Sequence, residues 1–183
     1  VKEISEAILK ANPSTLEEAL EVETPNGKVS DVIAEATTVI GEKITLRRFE
    51  IVEKSDADAF GAYLHMGGRI AALTVVEGKE EVAKDAAMHA AAINPQYLTV
   101  EQVPAEVVAK ERDILTQEAL NEGKPANIVE KMVEGRIRKF LADVCMLEQP
   151  FVKDGDVTVA KFAANNGSTI KSFIRLEVGE GIE

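Results

Sequence analysis

The apolar positions of the chain fall into two rhythms. From Val29 to Val39 (VSDVIAEATTV), Val29, Val32, Ile33, Ala36 and then Ile40 recur three or four residues apart, which predicts an amphipathic helix. Gly41 is positioned as its left-handed cap, and Ile44 to Val52, containing RFEI at Arg48 to Ile51, has strand composition. The same succession returns later. Val157 to Ala164 is helical in pattern, Gly167 caps, and a strand from Ile170 to Val178 carries RLEV at Arg175 to Val178. A second pair matches as well: AILKANPSTL (Ala7 to Leu16) and AAAINPQYL (Ala90 to Leu98) both read as a helix stopped at Asn-Pro, since a residue before proline leaves helical geometry. One helix–loop–helix–Gly–strand unit is thus expected twice.

The first pair of matches is offset by 126 residues and the second by 82, so the later copy holds an excess of 44. Pro104 to Leu147 has that length and reads as a helical hairpin. Its first arm, about Ala105 to Asn121, places Val107, Val108, Ile114, Leu115 and Leu120 toward a seam. Glu122-Gly123-Lys124-Pro125 turns the chain, and Val129, Val133, Ile137, Phe140 and Val144 line the second arm. Arms of roughly 25 to 30 Å would zip into an antiparallel coiled coil. The later copy opens with a β-hairpin, Ala59 to Leu64 and Arg69 to Val76, turning at His65-Met66-Gly67-Gly68, and continues into a helix from Lys79 to Ile93. No such hairpin precedes the first helix, so an N-terminal piece is expected to be missing. The fold class is α+β: two related two-layer subdomains, each an antiparallel sheet packed on helices, with the first incomplete. The expected divisions are residues 1–57, residues 58–183, and the coiled-coil insertion 104–147 within the second.

Composition narrows the function. With 45% apolar residues in 183, the chain can bury a sizeable core. Twenty-one Lys and Arg against 32 Asp and Glu give a net charge of −11, which opposes a phosphate-backbone binder, so no direct nucleic-acid contact is expected. No apolar run approaches the roughly 18 residues of a membrane span, and a single Cys suits a reducing compartment, so a cytoplasmic protein with no membrane contact is expected.

The candidate chemistry is sparse. The exposed turn His65 to Arg69 could hold an anion or serve as a contact tip, but it lacks phosphate-loop spacing, and a plain hairpin turn accounts for it. His89, among alanines, reads as a packing or capping residue, and Cys145 as a buried thiol. The acidic run Glu53 to Asp58 reads as a solvated linker, and Arg136, Arg138 and Lys139 as a solvated helix face. No nucleophile–base arrangement, dinucleotide fingerprint, cofactor or metal site emerges, so no enzyme is expected. From the residues alone the reading stops at an interaction scaffold, with two alternatives: an anion- or small-molecule-binding enzyme at the His65–Arg69 turn, and a coiled-coil assembly module.

Several runs then identify a family. HMGGRIAAL (His65 to Leu73), KPANIVEKMVEGRIRKF (Lys124 to Phe140), LEQPFVKD (Leu147 to Asp154), FIRLEVGEGIE (Phe173 to Glu183) and IAEATTVIGEKITLRRFE (Ile33 to Glu50) closely resemble bacterial translation elongation factor Ts. The resemblance implies a guanine-nucleotide exchange factor that binds elongation factor Tu, both GDP-bound and nucleotide-free, and that can form a homodimer. It implies a core of two related subdomains with a coiled-coil insertion. It also implies an N-terminal helical module, a Thr-Asp-Phe-Val-Ala-Lys wedge and a C-terminal helix that this sequence does not show, and so a core fragment weak in exchange. By position it assigns Tu contacts to Ile40 and Gly41, to His65 with its turn neighbours Met66 and Gly67, and to Phe151 and Val152. Lys153 stands where some members carry Met.

Overall fold

The structure, a computed structural model, describes residues 1–181, so the last two residues of the expected 58–183 subdomain lie outside the described residues. Its contacts divide the chain into two units, residues 1–53 and residues 54–183.

The first unit opens with α1 (Lys2–Ala11), which stops at Asn12. Asn12 sits in the left-handed region (φ 51°, ψ 51°), and its N–H closes on the Ile8 carbonyl at 2.8 Å. Proline at 13 bars right-handed geometry here, and asparagine tolerates the left-handed alternative. The short α2 (Leu16–Leu20) is capped reciprocally: Thr15 Oγ1 accepts the Glu18 N–H, while Glu18 accepts the Ser14 N–H at 2.7 Å. A two-residue pair, β1 (Glu23–Thr24) with β2 (Gly27–Lys28), leads into α3 (Val29–Ile40), which Gly41 ends at φ 79°. Ile8, Ala19 and Val29 form the interior of this unit.

Two expectations fail here. The segment Ile44 to Val52 forms no strand. A strand of this length needs a neighbour for its N–H and C=O groups along most of its course, and this unit offers only β1 and β2, of two residues each. Ile44 N–H bonds the Thr37 hydroxyl instead, at 3.2 Å, and Arg48 pairs with Glu50 at 2.7 Å. Ile40, expected on the buried stripe of α3, is 61% exposed.

The second unit is built on β3 (Asp58–His65), β4 (Ile70–Glu77), α4 (Glu80–Ile93), the hairpin helices α5 (Ala105–Asn121) and α6 (Ala126–Val144), a small β5 (Pro150–Phe151)–β6 (Asp154–Thr158) pair, α7 (Val159–Asn165) and β7 (Thr169–Glu177). The main sheet has the order β3-β4-β7, antiparallel throughout. Alternation puts Ile70, Ala72, Thr74 and Val76 on one face, toward α4, where Ala83, Ala86, Ala87, Ala90 and Ala91 are all buried. Small side chains let the helix backbone approach the sheet. Gly61, opposite Thr74, lies directly under the Ala83 peptide, and Thr74 Oγ1 donates to the Ala83 carbonyl at 2.6 Å. α4 ends as α1 does, at a left-handed Asn94 (φ 56°, ψ 54°) before proline. β4 receives β7 along its free edge, so the strand after Gly167 forms where the one after Gly41 does not.

Two further readings are corrected in the sheet region of this unit. Val157 and Thr158 belong to β6, so the helix begins only at Val159. Asp58 is not part of a solvated linker: it starts β3, its side chain is 4% exposed, and it pairs with Lys171 at 3.0 Å while accepting from the Ser55 hydroxyl at 2.9 Å. The β-bulge beside Val75 and Val76 leaves Lys171 as the extra residue of β7.

The hairpin seam is made by Val108, Leu115 and Ala119 against Val129, Val133, Ile137 and Leu141. Ile114 and Leu120, expected in it, are 44% and 45% exposed, because the positions that share a face with Val108 lie seven and eleven residues on. Arg112 pairs with Glu134, and Arg136 with Glu122 at 3.1 Å, so Arg136 crosses the hairpin rather than standing free in solvent.

Candidate functional site

The residues assigned by resemblance sit at the ends of rigid elements. β3 and β4 pair through His65 and Ile70, leaving Met66 to Arg69 as the loop. Met66 (φ 50°), Gly67 (φ 67°) and Gly68 (φ 90°) are all left-handed, a run that the two glycines make accessible. Arg69 N–H returns to the Met66 carbonyl at 3.4 Å, and the Arg69 carbonyl accepts the Val178 N–H at 2.8 Å, which ties the loop to the end of β7. His65 stacks on Tyr63 with ring centroids 6.0 Å apart. Met66 is 62% exposed and Leu64 70%. A flexible thioether and an aliphatic side chain thus stand exposed on a tethered tip.

A second tip is better braced. Phe151 pairs with Asp154, so Val152 and Lys153 are the two residues of a tight turn and not part of a strand. Phe151 points inward, 3% exposed, and stacks on Phe162 at 3.9 Å and on His89 at 6.1 Å. Val152 is 38% exposed, and Lys153 reaches back to Asp85 on α4 at 2.5 Å.

The turn is anchored one helical turn further along by His89. This ring has no exposed surface, and burial pushes its pKa below the usual histidine value, against a smaller opposing effect of the Gln149 hydrogen bond. His89 Nδ1 accepts the Val152 N–H at 3.1 Å, and Nε2 lies 2.8 Å from Gln149 Oε1. Gln149 Nε2 donates to the Asp143 carbonyl at 2.6 Å, so its oxygen faces the ring and Nε2 of His89 carries the proton. One tautomer satisfies every group. Cys145 closes the end of α6, is wholly buried, and burial raises its thiol pKa, which keeps it a protonated packing group.

The third surface is the end of α3, where Val39 is 78% exposed and Ile40 61%, with Gly41 turning the chain. The sequence reasoning passed over Asp85, Gln149 and the bracing role of His89. Asp85 and His89 lie four apart in the helix, a spacing that places both on one side, but what that side meets is set 60 residues away. Among the described residues no group of three or more His, Cys, Asp or Glu is placed to hold a metal, and no helix is long and apolar enough to cross a membrane.

Comparison with known proteins agrees with the motifs. The elongation factor TS family model matches residues 1–180. Elongation factor Ts of Pediococcus pentosaceus is 57% identical over 184 residues, an alignment that takes in all of this chain and 63% of that relative, so the chain spans somewhat less than two thirds of its length. Similarity of this depth across both units and the inserted hairpin places the chain in the elongation factor Ts family.

Proposed function

We propose that this chain binds elongation factor Tu and acts as a guanine-nucleotide exchange factor, weakening the hold of Tu on GDP. The observation that carries the reading is the coincidence of exposed apolar side chains at element ends, Ile40, Met66 and Val152, with the positions at which the family resemblance places Tu contacts. His65, Gly67 and Gly41 shape those ends, Lys153 flanks Val152, and Phe151 supports the turn from within. Exchange of this kind makes and breaks no covalent bond. It is a coupling between two binding events: whatever free energy the factor takes from GDP binding, GDP takes equally from factor binding. The chain therefore binds both nucleotide-free and GDP-bound Tu, with different affinities. Homodimer formation belongs to the same reading, supported by the second face of the main sheet, where Leu64, Leu73, Ile174 and Leu176 follow one another across the strands. Family membership lends no support to an enzyme at the His65–Arg69 turn or to a module that acts only through its coiled coil.

Two charge substitutions test the surfaces. Ile40→Asp and Val152→Asp each place a carboxylate where an apolar contact is expected, and each should weaken Tu binding by about tenfold or more while leaving the melting curve close to that of the parent. Parent-level binding by both variants would remove these surfaces from the account.

A further inference from the structure

We propose that His89 is the positioning residue of the Val152 contact tip: from the interior of the second unit its Nδ1 accepts the Val152 N–H and so fixes the turn that presents Val152 and Lys153 to a partner. The inference rests on the reading of Val152 as a Tu contact and deepens it.

The geometry requires an acceptor at that point. In a two-residue turn the first turn residue has no partner in the ladder, and its N–H must find one elsewhere or lose a hydrogen bond. Here the N–H points into the protein, 3.1 Å from a ring that is itself fully enclosed. The ring cannot rotate away. Its Nε2–H is engaged by Gln149, whose amide is held in turn by the Asp143 carbonyl near the end of α6, and Phe151 stacks on its face. One turn earlier on the same helix, Asp85 pairs with Lys153. The two residues of the tip are thus fixed to α4 at two points four residues apart, one by a buried neutral hydrogen bond and one by an ion pair at the surface. The ion pair lies toward water and is screened, so the buried bond sets the orientation of the turn.

A residue that only fills space behaves differently from one that positions the turn, and two variants separate the cases. His89→Phe keeps the aromatic volume and the stack but has no acceptor. His89→Asn places an acceptor oxygen near the Nδ1 position and gives up ring volume. Positioning predicts opposite rankings in two measurements: His89→Phe keeps the melting temperature closer to the parent, yet binds Tu about tenfold more weakly, whereas His89→Asn melts lower and, below its transition, binds within about threefold of the parent. In His89→Phe the Val152 amide should also exchange its hydrogen faster, with the amides of α4 unchanged. Parent-level Tu binding by His89→Phe, in the same series in which Val152→Asp is impaired, overturns the proposal and leaves the surface reading standing. Parent-level binding by Val152→Asp removes the surface reading and the proposal together. Should neither His89 variant fold, the unmodified chain still decides: a through-hydrogen-bond nitrogen–nitrogen coupling between the Val152 amide and His89 Nδ1 is expected by NMR, and its absence overturns the proposal.

Discussion

At His89 a proton has nowhere to go. Nδ1 is occupied by the Val152 N–H, Nε2 already carries its proton toward Gln149, and no surface of the ring meets water. The folded protein therefore resists a proton that the unfolded chain accepts near pH 6.5. The sign follows: with its folded pKa depressed, His89 adds no instability above about pH 6.5, and stability is lost as pH falls below that value toward the lower folded pKa. Urea melts at pH 7.5 and 5.5 should show the parent losing stability across this window, and His89→Asn losing less. Asp58 acts in the same direction at more acidic pH, since its hydrogen bond to Lys171 holds its carboxyl below the usual value and the benefit disappears as the carboxyl protonates. An equal slope in parent and His89→Asn would contradict the neutral, doubly bonded ring. The bland reading of His89 as a packing residue was available from the alanines around it. Its bond to Val152 was not, because no local pattern joins two residues 63 positions apart.

At the scale of elements, the close approach of α4 to the β3–β4 sheet makes a sharp demand on one position. A Cβ on Gly61 would overlap the Ala83 carbonyl and the Lys84 amide, backbone atoms that a side-chain rotation cannot clear. Gly61→Ala should cost about 3 kcal/mol, read from chemical denaturation, because the helix must lift from the sheet and Thr74 must lengthen its bond to the Ala83 carbonyl. A loss below about 0.5 kcal/mol would mean that the two layers are farther apart than described. Helices and hairpins were the legible elements. The Asn-Pro stops, the Gly41 and Gly167 caps, the β3–β4 turn and the hairpin helices all follow from local chemistry. The segment Ile44 to Val52 shows where such reading ends: strand composition describes what a chain can pair with, and pairing depends on a neighbouring strand long enough to hold it. The seam of the hairpin shows a second limit. Counting apolar residues selected Ile114 and Leu120, whereas the heptad register from Val108 selects Leu115 and Ala119.

For the molecule as a whole, the family identity and the repeated helix endings rest on different features. The motifs carry the identity through residues 1–180. The helix endings before proline recur in the structure with nearly the same dihedral angles at Asn12 and Asn94. Neither feature reveals the proposed contact surfaces, the exposed apolar side chains of Ile40, Met66 and Val152 at element ends. An exchange factor built from such surfaces must discriminate between states of its partner, since a binder indifferent to nucleotide displaces nothing. The most direct measurement is therefore the affinity of this chain for nucleotide-free Tu and for GDP-loaded Tu under one set of conditions, by calorimetric titration. The account predicts tighter binding to nucleotide-free Tu by about fivefold or more, matched by an equal weakening of GDP in the ternary complex. Equal affinities for the two forms, or no binding to either, would contradict it.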